Sequence, residues 1–113
     1  MNLEYKTYLI KSVSEGDEFA FRKLFEFFHP NIYTTALRIT NDEAMAQDIV
    51  QDTFLKVWLN KEDLPGVNNF EGWLYTIARN ITLNILKKGK FYKDYLNEES
   101  HQSLLGLYRG ADY

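Results

Sequence analysis

A chain of 113 residues with 45% apolar and 26% charged side chains allows one globular domain and little else, and it excludes wholesale disorder. Eight Phe, eight Tyr and two Trp can fill one core, while zero Cys excludes a disulfide framework, a thiolate metal site and a Cys nucleophile. The net charge of −3 is unevenly spread: residues 1–63 hold seven basic against eleven acidic groups, 71–93 five against one, and 94–113 one against four. An acidic half followed by a basic segment points to two different partners on one small domain.

The chain opens Met1-Asn2-Leu3-Glu4-Tyr5-Lys6, without the basic start or apolar stretch of a signal peptide. Apolar runs stay far short of the ~20 residues of a membrane span, so no membrane insertion is expected. The absence of Cys fits a reducing cytoplasm, the expected location. Leu3, Leu9, Ile10 and Val13 suggest a first helix, stopped by Ser14-Glu15-Gly16. Asp17 is a plausible N-cap, with Glu18 beside it for the helix dipole, and opens a helix over 18–28. Phe19, Leu24, Phe27 and Phe28 are expected on its core side. Pro30 lacks the N–H an interior turn uses, so a kink or restart is expected there, with 31–39 resuming the helical pattern.

Thr40-Asn41-Asp42 is the next start signal, and 43–61 reads as one long helix. Leu64-Pro65-Gly66-Val67-Asn68-Asn69 is the clearest loop. A second long helix follows over 70–88, with Gly89 suited to its C-terminal cap, and beyond Tyr92 the periodicity fades into a polar tail. Two-residue alternation is missing throughout. The expected fold is an all-α compact bundle of about four to five helices.

At ~100° per residue, Ala46, Ile49, Val50, Thr53, Phe54 and Val57 gather on one side of the 43–61 helix, the expected buried stripe. Asp48, Asp52, Leu55 and Leu59 cluster nearly opposite, with Gln51 flanking them. Apolar anchors framed by acids resemble a partner-binding patch. The competing reading is that the N-terminal helix covers this face. The 70–88 helix divides likewise. Phe70, Leu74, Ile77, Ala78, Ile81 and Ile85 form its expected core stripe. Opposite lie Gly72, Thr76, Arg79, Leu83 and Lys87, with Tyr75 and Asn80 on the flanks. Such groups neutralise phosphates, read base edges and stack on bases. The amides of Asn68 and Asn69, just upstream, suit an extruded base. A surface helix whose basic end complements its own dipole would explain Lys87 and Lys88, but not Tyr75, Thr76, Arg79 and Asn80.

Three stretches resemble region two of bacterial sigma-70 family factors, the extracytoplasmic-function (ECF) group in particular: Gly16-Asp17-Glu18-Phe19-Ala20-Phe21 with Leu24-Phe25; Ala46-Gln47-Asp48-Ile49-Val50-Gln51-Asp52-Thr53-Phe54 with Val57-Trp58; and Phe70-Glu71-Gly72-Trp73-Leu74-Tyr75-Thr76-Ile77-Ala78-Arg79-Asn80. The resemblance implies a transcription initiation domain over 1–92, with no catalytic role, cofactor or metal. It assigns Asp48, Gln51 and Asp52, and with them Leu55 and Leu59, to docking on the clamp helices of the polymerase beta-prime subunit. It assigns the 64–69 loop, including Val67, Asn68 and Asn69, to a base flipped from the non-template strand of the promoter minus-ten element. Asn80 would help form that pocket, with Tyr75, Thr76 and Trp73 nearby, while Arg79, Lys87 and Lys88 hold the backbone. An anti-sigma factor is the expected antagonist.

Two departures from the family pattern are visible. Asn84 stands where a basic-flanked Asp is common, and Gly72-Trp73 offers one Trp where housekeeping factors carry an aromatic pair, which implies a weaker melting wedge. Nothing after Lys93 resembles the helix-turn-helix of region four, so 93–113 reads as the start of an acidic linker and the chain as an isolated or truncated domain. Two rival classes are weaker. A di-iron bundle would use Glu26-x-x-His29 and Glu98-x-x-His101, yet Pro30 follows His29 and Glu98 lies in the tail. A helical adaptor would use the Leu55/Leu59 face and leave the Tyr75, Arg79 and Asn80 face unexplained.

Overall fold

The structure, a computed structural model, describes residues 1–88. Four α-helices follow in order: α1 (Leu3–Ser14), α2 (Glu18–Thr40), α3 (Glu43–Leu59) and α4 (Phe70–Lys88), with a 3-10 helix over Lys61–Gly66 before the last. No strand occurs among the described residues, as the all-α expectation requires. No helix among them is long and apolar enough to cross a membrane. Gly89, the 93–113 tail and the Glu98-x-x-His101 spacing lie outside the described residues.

The first two junctions each use one residue to stop a helix and the next to start another. Gly16 sits at φ 91 after α1, where the Gly16 N–H reaches the Val13 carbonyl and the Asp17 N–H reaches that of Ser12. These are the paired bonds of a Schellman stop, and a residue with a Cβ would be strained at that φ. Asp17 then caps α2, its Oδ1 accepting from the N–H groups of Phe19 and Ala20 at 2.9 and 3.1 Å. Asn41 repeats the device with φ 52, and Asp42 caps α3 by accepting from the Met45 N–H at 3.0 Å. The polypeptide therefore turns at both places, and α2 packs against both α1 and α3.

Three expectations about these elements need correction. Pro30 does not restart the second helix: α2 is continuous through it. Pro30 is exposed, so the Glu26 carbonyl that loses its partner lies on the side where water can replace it. Phe19 and Phe27 do not reach the core and are 64% and 51% exposed. The buried register instead runs Ala20, Leu24, Phe28, Ile32 and Ala36, one residue in every four, and Phe19 and Phe27 both fall off that line. The 64–69 segment begins inside the 3-10 helix, where Leu64 is buried, so the true loop is only Val67-Asn68-Asn69.

One core unites the helices. Phe54 of α3 is buried edge-on against Phe25 of α2, with ring centroids 4.9 Å apart, and Phe21 lies at 6.2 Å. Burying a Phe, Leu or Ile stabilises by ~1.5–3 kcal/mol, so this shared cluster outweighs any single surface pair. A smaller cluster, Ile39 and Leu86 with Tyr75 and Leu83 against it, ties the end of α2 to α4. Lys6 of α1 bonds Glu71 of α4 at 2.6 Å and fixes the first helix beside the start of the last.

Candidate functional site

On α3 the buried stripe is the expected one, residue for residue: Ala46, Ile49, Val50, Thr53, Phe54 and Val57. Thr53 is accommodated because its hydroxyl donates to the Ile49 carbonyl at 2.6 Å. Asp48, Gln51, Asp52, Leu55 and Leu59 are all exposed, the two leucines at 54% and 68%. The first helix packs against α2 and the 3-10 helix, and it does not cover this face. Grooves border the face on both sides. One, of about 550 Å³, runs between α3 and α2 and brings Gln51 and Leu55 beside Phe21, Arg22 and Trp58. The other runs between α3 and α4 and brings Asp52, Leu55 and Leu59 beside Asn84 and Lys88. Residues with that exposure and chemistry suit a partner that is apolar in the middle and basic at the edge.

The α4 side is arranged differently. Its buried residues are Phe70, Gly72, Leu74, Ala78, Ile81, Thr82 and Leu86. Gly72 was expected to face outward, and Ile77 and Ile85 are only half-buried. The reason is that α4 packs against both α3 and α2, so its covered sector is wider than one stripe and turns toward Tyr75 and Leu86. Tyr75 is half-buried, and its hydroxyl accepts from Asn31 Nδ2 at 3.0 Å. Thr76 donates to the Gly72 carbonyl at 2.8 Å. Arg79 is half-buried and its Nη2 donates to Asn80 Oδ1 at 3.0 Å. Asn80, Lys87 and Lys88 are exposed, whereas Trp73 is half-buried beside Phe70, ring centroids 6.2 Å apart.

Loop residue Asn69 has a structural duty, since its Oδ1 accepts from the Gly72 N–H at 3.1 Å and starts α4. Asn68 is exposed and Val67 half-buried, and both line a cleft of about 400 Å³ against α1. Asn80 does not line that cleft. Eleven residues separate it from Asn69, or ~16 Å of rise along a helix. Lys88 lines the α3–α4 groove and so stands beside the acidic face. Sequence reasoning missed the contribution of α1 to the cleft, because Lys6, Thr7 and Lys11 carry no motif that marks them as neighbours of a loop some sixty residues later.

The family described as Sigma-70 region 2 matches residues 24–91 of the chain. The chain is 32% identical over 87 residues to the ECF RNA polymerase sigma factor SigW of Bacillus subtilis, covering 75% of this chain and 46% of that protein. It is 32% identical over 71 residues to the ECF RNA polymerase sigma factor SigL of Mycobacterium tuberculosis, covering 62% of this chain and 40% of that protein. With the RNA polymerase sigma-H factor of Pseudomonas aeruginosa the identity is 33% over 78 residues, 69% of this chain and 40% of the relative. The chain spans less than half the length of each of these relatives.

Proposed function

The chain belongs to the sigma-70 region 2 family, and on that premise we propose that it is the part of an ECF-type initiation factor that docks on core RNA polymerase and reads the promoter minus-ten element. The domain extends over about 1–92, with 93–113 as the start of an acidic linker, and the protein works in the cytoplasm. The observation that carries this reading is the open face of α3, where Asp48, Gln51, Asp52, Leu55 and Leu59 stand together opposite a fully buried stripe. The two leucines supply desolvation and the two carboxylates supply orientation toward a basic helical partner, the beta-prime clamp helices. The loop and the outer groups of α4 then engage the non-template strand, whose bases present edges and rings once the duplex opens. Val67 and Asn68 receive a flipped base, Asn80 reads a second position, and Trp73 borders the opening duplex. Arg79 and Lys87 hold phosphates. An anti-sigma factor would act by occupying the same α3 face. The role is binding throughout, with no catalytic step.

The deciding experiment is capture of a beta-prime clamp fragment by the chain and by its Asp52→Arg variant. Charge reversal on an exposed helix position moves stability by ~0.5 kcal/mol or less, so an intact fold with lost capture is the expected result. Undiminished capture would sink the assignment.

A further inference from the structure

Lys88, the last residue of α4, lines the groove of about 360 Å³ between α3 and α4. The apolar walls of that groove are Leu55 and Leu59 on one helix and Ile81 and Ile85 on the other. Single exposed apolar residues are ordinary, but two leucines at 54% and 68% exposure beside one groove mark a surface fit to be covered. Its charged rim sets Asp52 against Lys56 and Lys88, with exposed Lys87 next in the chain. None of these three lysines has an ion-pair partner among the described residues. The groove therefore suits an apolar segment that brings carboxylates with it.

The chain itself carries one. Leu104-Leu105-Gly106-Leu107-Tyr108 is the densest apolar run after Lys88, and it lies beyond residues 24–91, which match the family. Upstream of it, residues 94–99 hold Asp94, Glu98 and Glu99 and no basic residue. We infer that segment 104–108 docks in the α3–α4 groove of its own chain, its leucines on Leu55 and Leu59 and the carboxylates of 94–99 on Lys56, Lys87 and Lys88. Fifteen residues, 89–103, connect Lys88 to Leu104 and span up to ~50 Å, ample to return to the groove from its own edge. A tethered segment acts at an effective concentration on the order of millimolar, so a weak contact is enough to hold it there. The α2–α3 groove on the other side of α3 is more aromatic, but its rim pairs Glu18 with Arg22 and offers an acidic segment no net attraction. Docking covers the two leucines and leaves Asp48 and Gln51 open, since neither lines the α3–α4 groove. A partner arriving on α3 then has to displace the segment. That competition rests on the polymerase reading above, whereas the docking does not.

The chain has no Cys, so a pair of introduced cysteines reports the contact cleanly. Asn84→Cys places a thiol in the groove at an exposed position, and Gly106→Cys places the other between the leucines of the segment. A bridge needs the two Cα atoms within about 7 Å. Under mild oxidation of the full chain at low concentration, this pair should bridge within one chain at least tenfold faster than a control pair, Thr7→Cys with Gly106→Cys, whose first member is exposed on α1. Adding Leu105→Asp and Leu107→Asp should slow the bridge to the control rate. Equal rates for the two pairs, or bridges that form only between chains and so give the groove to a second copy, overturn the docking. In the chain without introduced cysteines, Leu105→Asp with Leu107→Asp should tighten capture of the clamp fragment about threefold. Unchanged capture beside a fast bridge overturns the competition. A fast bridge in a chain that captures no clamp fragment upholds the docking and defeats the polymerase reading instead.

Discussion

The outer faces of α3 and α4 sit on helices of similar length that pack against each other, yet they hold their polar groups in opposite states. Asp48, Gln51 and Asp52 make no side-chain hydrogen bond or ion pair among the described residues. On the α4 side several polar groups are already engaged: Tyr75 with Asn31, Thr76 with a carbonyl of its own helix, Arg79 with Asn80, and Asn69 with the Gly72 N–H. A protein partner therefore meets α3 as a finished surface and has only to desolvate it. A nucleic acid docking on α4, as proposed, would have to exchange internal hydrogen bonds for new ones. Each exchange nets little affinity, but a wrong base leaves the displaced groups unsatisfied at ~1–3 kcal/mol. On the proposed reading, one face would serve for holding and the other for discriminating.

The widest test of that contrast removes what both faces rest on. Phe54→Ala, at a position 3% exposed and packed on Phe25 and Phe21, should cost ~3–5 kcal/mol in chemical denaturation. A loss below about 1 kcal/mol, the range of surface changes, would mean that α3 is not seated as described. The next effect is smaller and belongs to α4 alone. Asn80→Ala should reduce discrimination at one base position by ~1–3 kcal/mol without changing capture of core polymerase. The position it relaxes should differ from that relaxed by Asn68→Ala, because ~16 Å separates the two parts of the helix and loop. Oligonucleotide competition with single-base changes tests this, and coincident positions would contradict the geometry.

How far the sequence could be read follows from the same difference. The α3 stripe was legible in every residue because that helix turns one side to the core and leaves the other open. For α4 the stripe came out too narrow: Gly72, Thr82 and Leu86 are buried too, Leu86 against Ile39 of α2, and no wheel drawn on one helix can show a second neighbour. Phe19 and Phe27 were placed inside because large aromatics usually are, yet the small residue Ala20 holds the buried line and the two rings are left outside. Pro30 signalled a restart that an exposed location made unnecessary. The cleft was the least legible feature. It brings α1 against the 67–69 loop, and the Lys6–Glu71 pair that joins α1 to α4 across sixty-five positions is announced by nothing local.

Asn69 sharpens the comparison at a scale of about 1 kcal/mol, because it belongs to both structure and site. Asn69→Ala removes the acceptor that starts α4 and should cost ~0.5–2 kcal/mol of stability, as lost N-caps do. Asn69→Asp keeps an oxygen for the Gly72 N–H and should retain that stability, while it deletes the amide donor and sets a negative charge beside the cleft. If Asn69→Asp unfolds as early as Asn69→Ala, the cap is not what holds the helix start. If it keeps both stability and oligonucleotide affinity, Asn69 is purely structural and the base is read by Asn68 without it.

The smallest expected effect divides two adjacent lysines. Lys87 and Lys88 end the same helix and are both exposed, so sequence alone gives them one role, holding the DNA backbone. The structure separates them, since Lys88 lines the groove with Asp52, Leu55 and Leu59, whereas Lys87 does not line that groove. A hundred degrees of helix turn is enough to set neighbours on different faces. Exposed charges contribute ~0.2–1 kcal/mol each, so neither change should abolish anything. Lys87→Ala should weaken all oligonucleotides alike and reduce the salt slope by about 0.7, the signature of one lost phosphate contact on a single strand. Lys88→Ala should leave that slope alone and act on capture of the clamp fragment instead. The direction there is informative: a basic partner gains when a lysine leaves the acidic face, so capture should tighten slightly and more so at low salt. Slightly weaker capture would mean that the partner presents an acid to Lys88. A reduced salt slope for DNA in both variants would return the two lysines to a single role and place the boundary between the faces elsewhere than along α4.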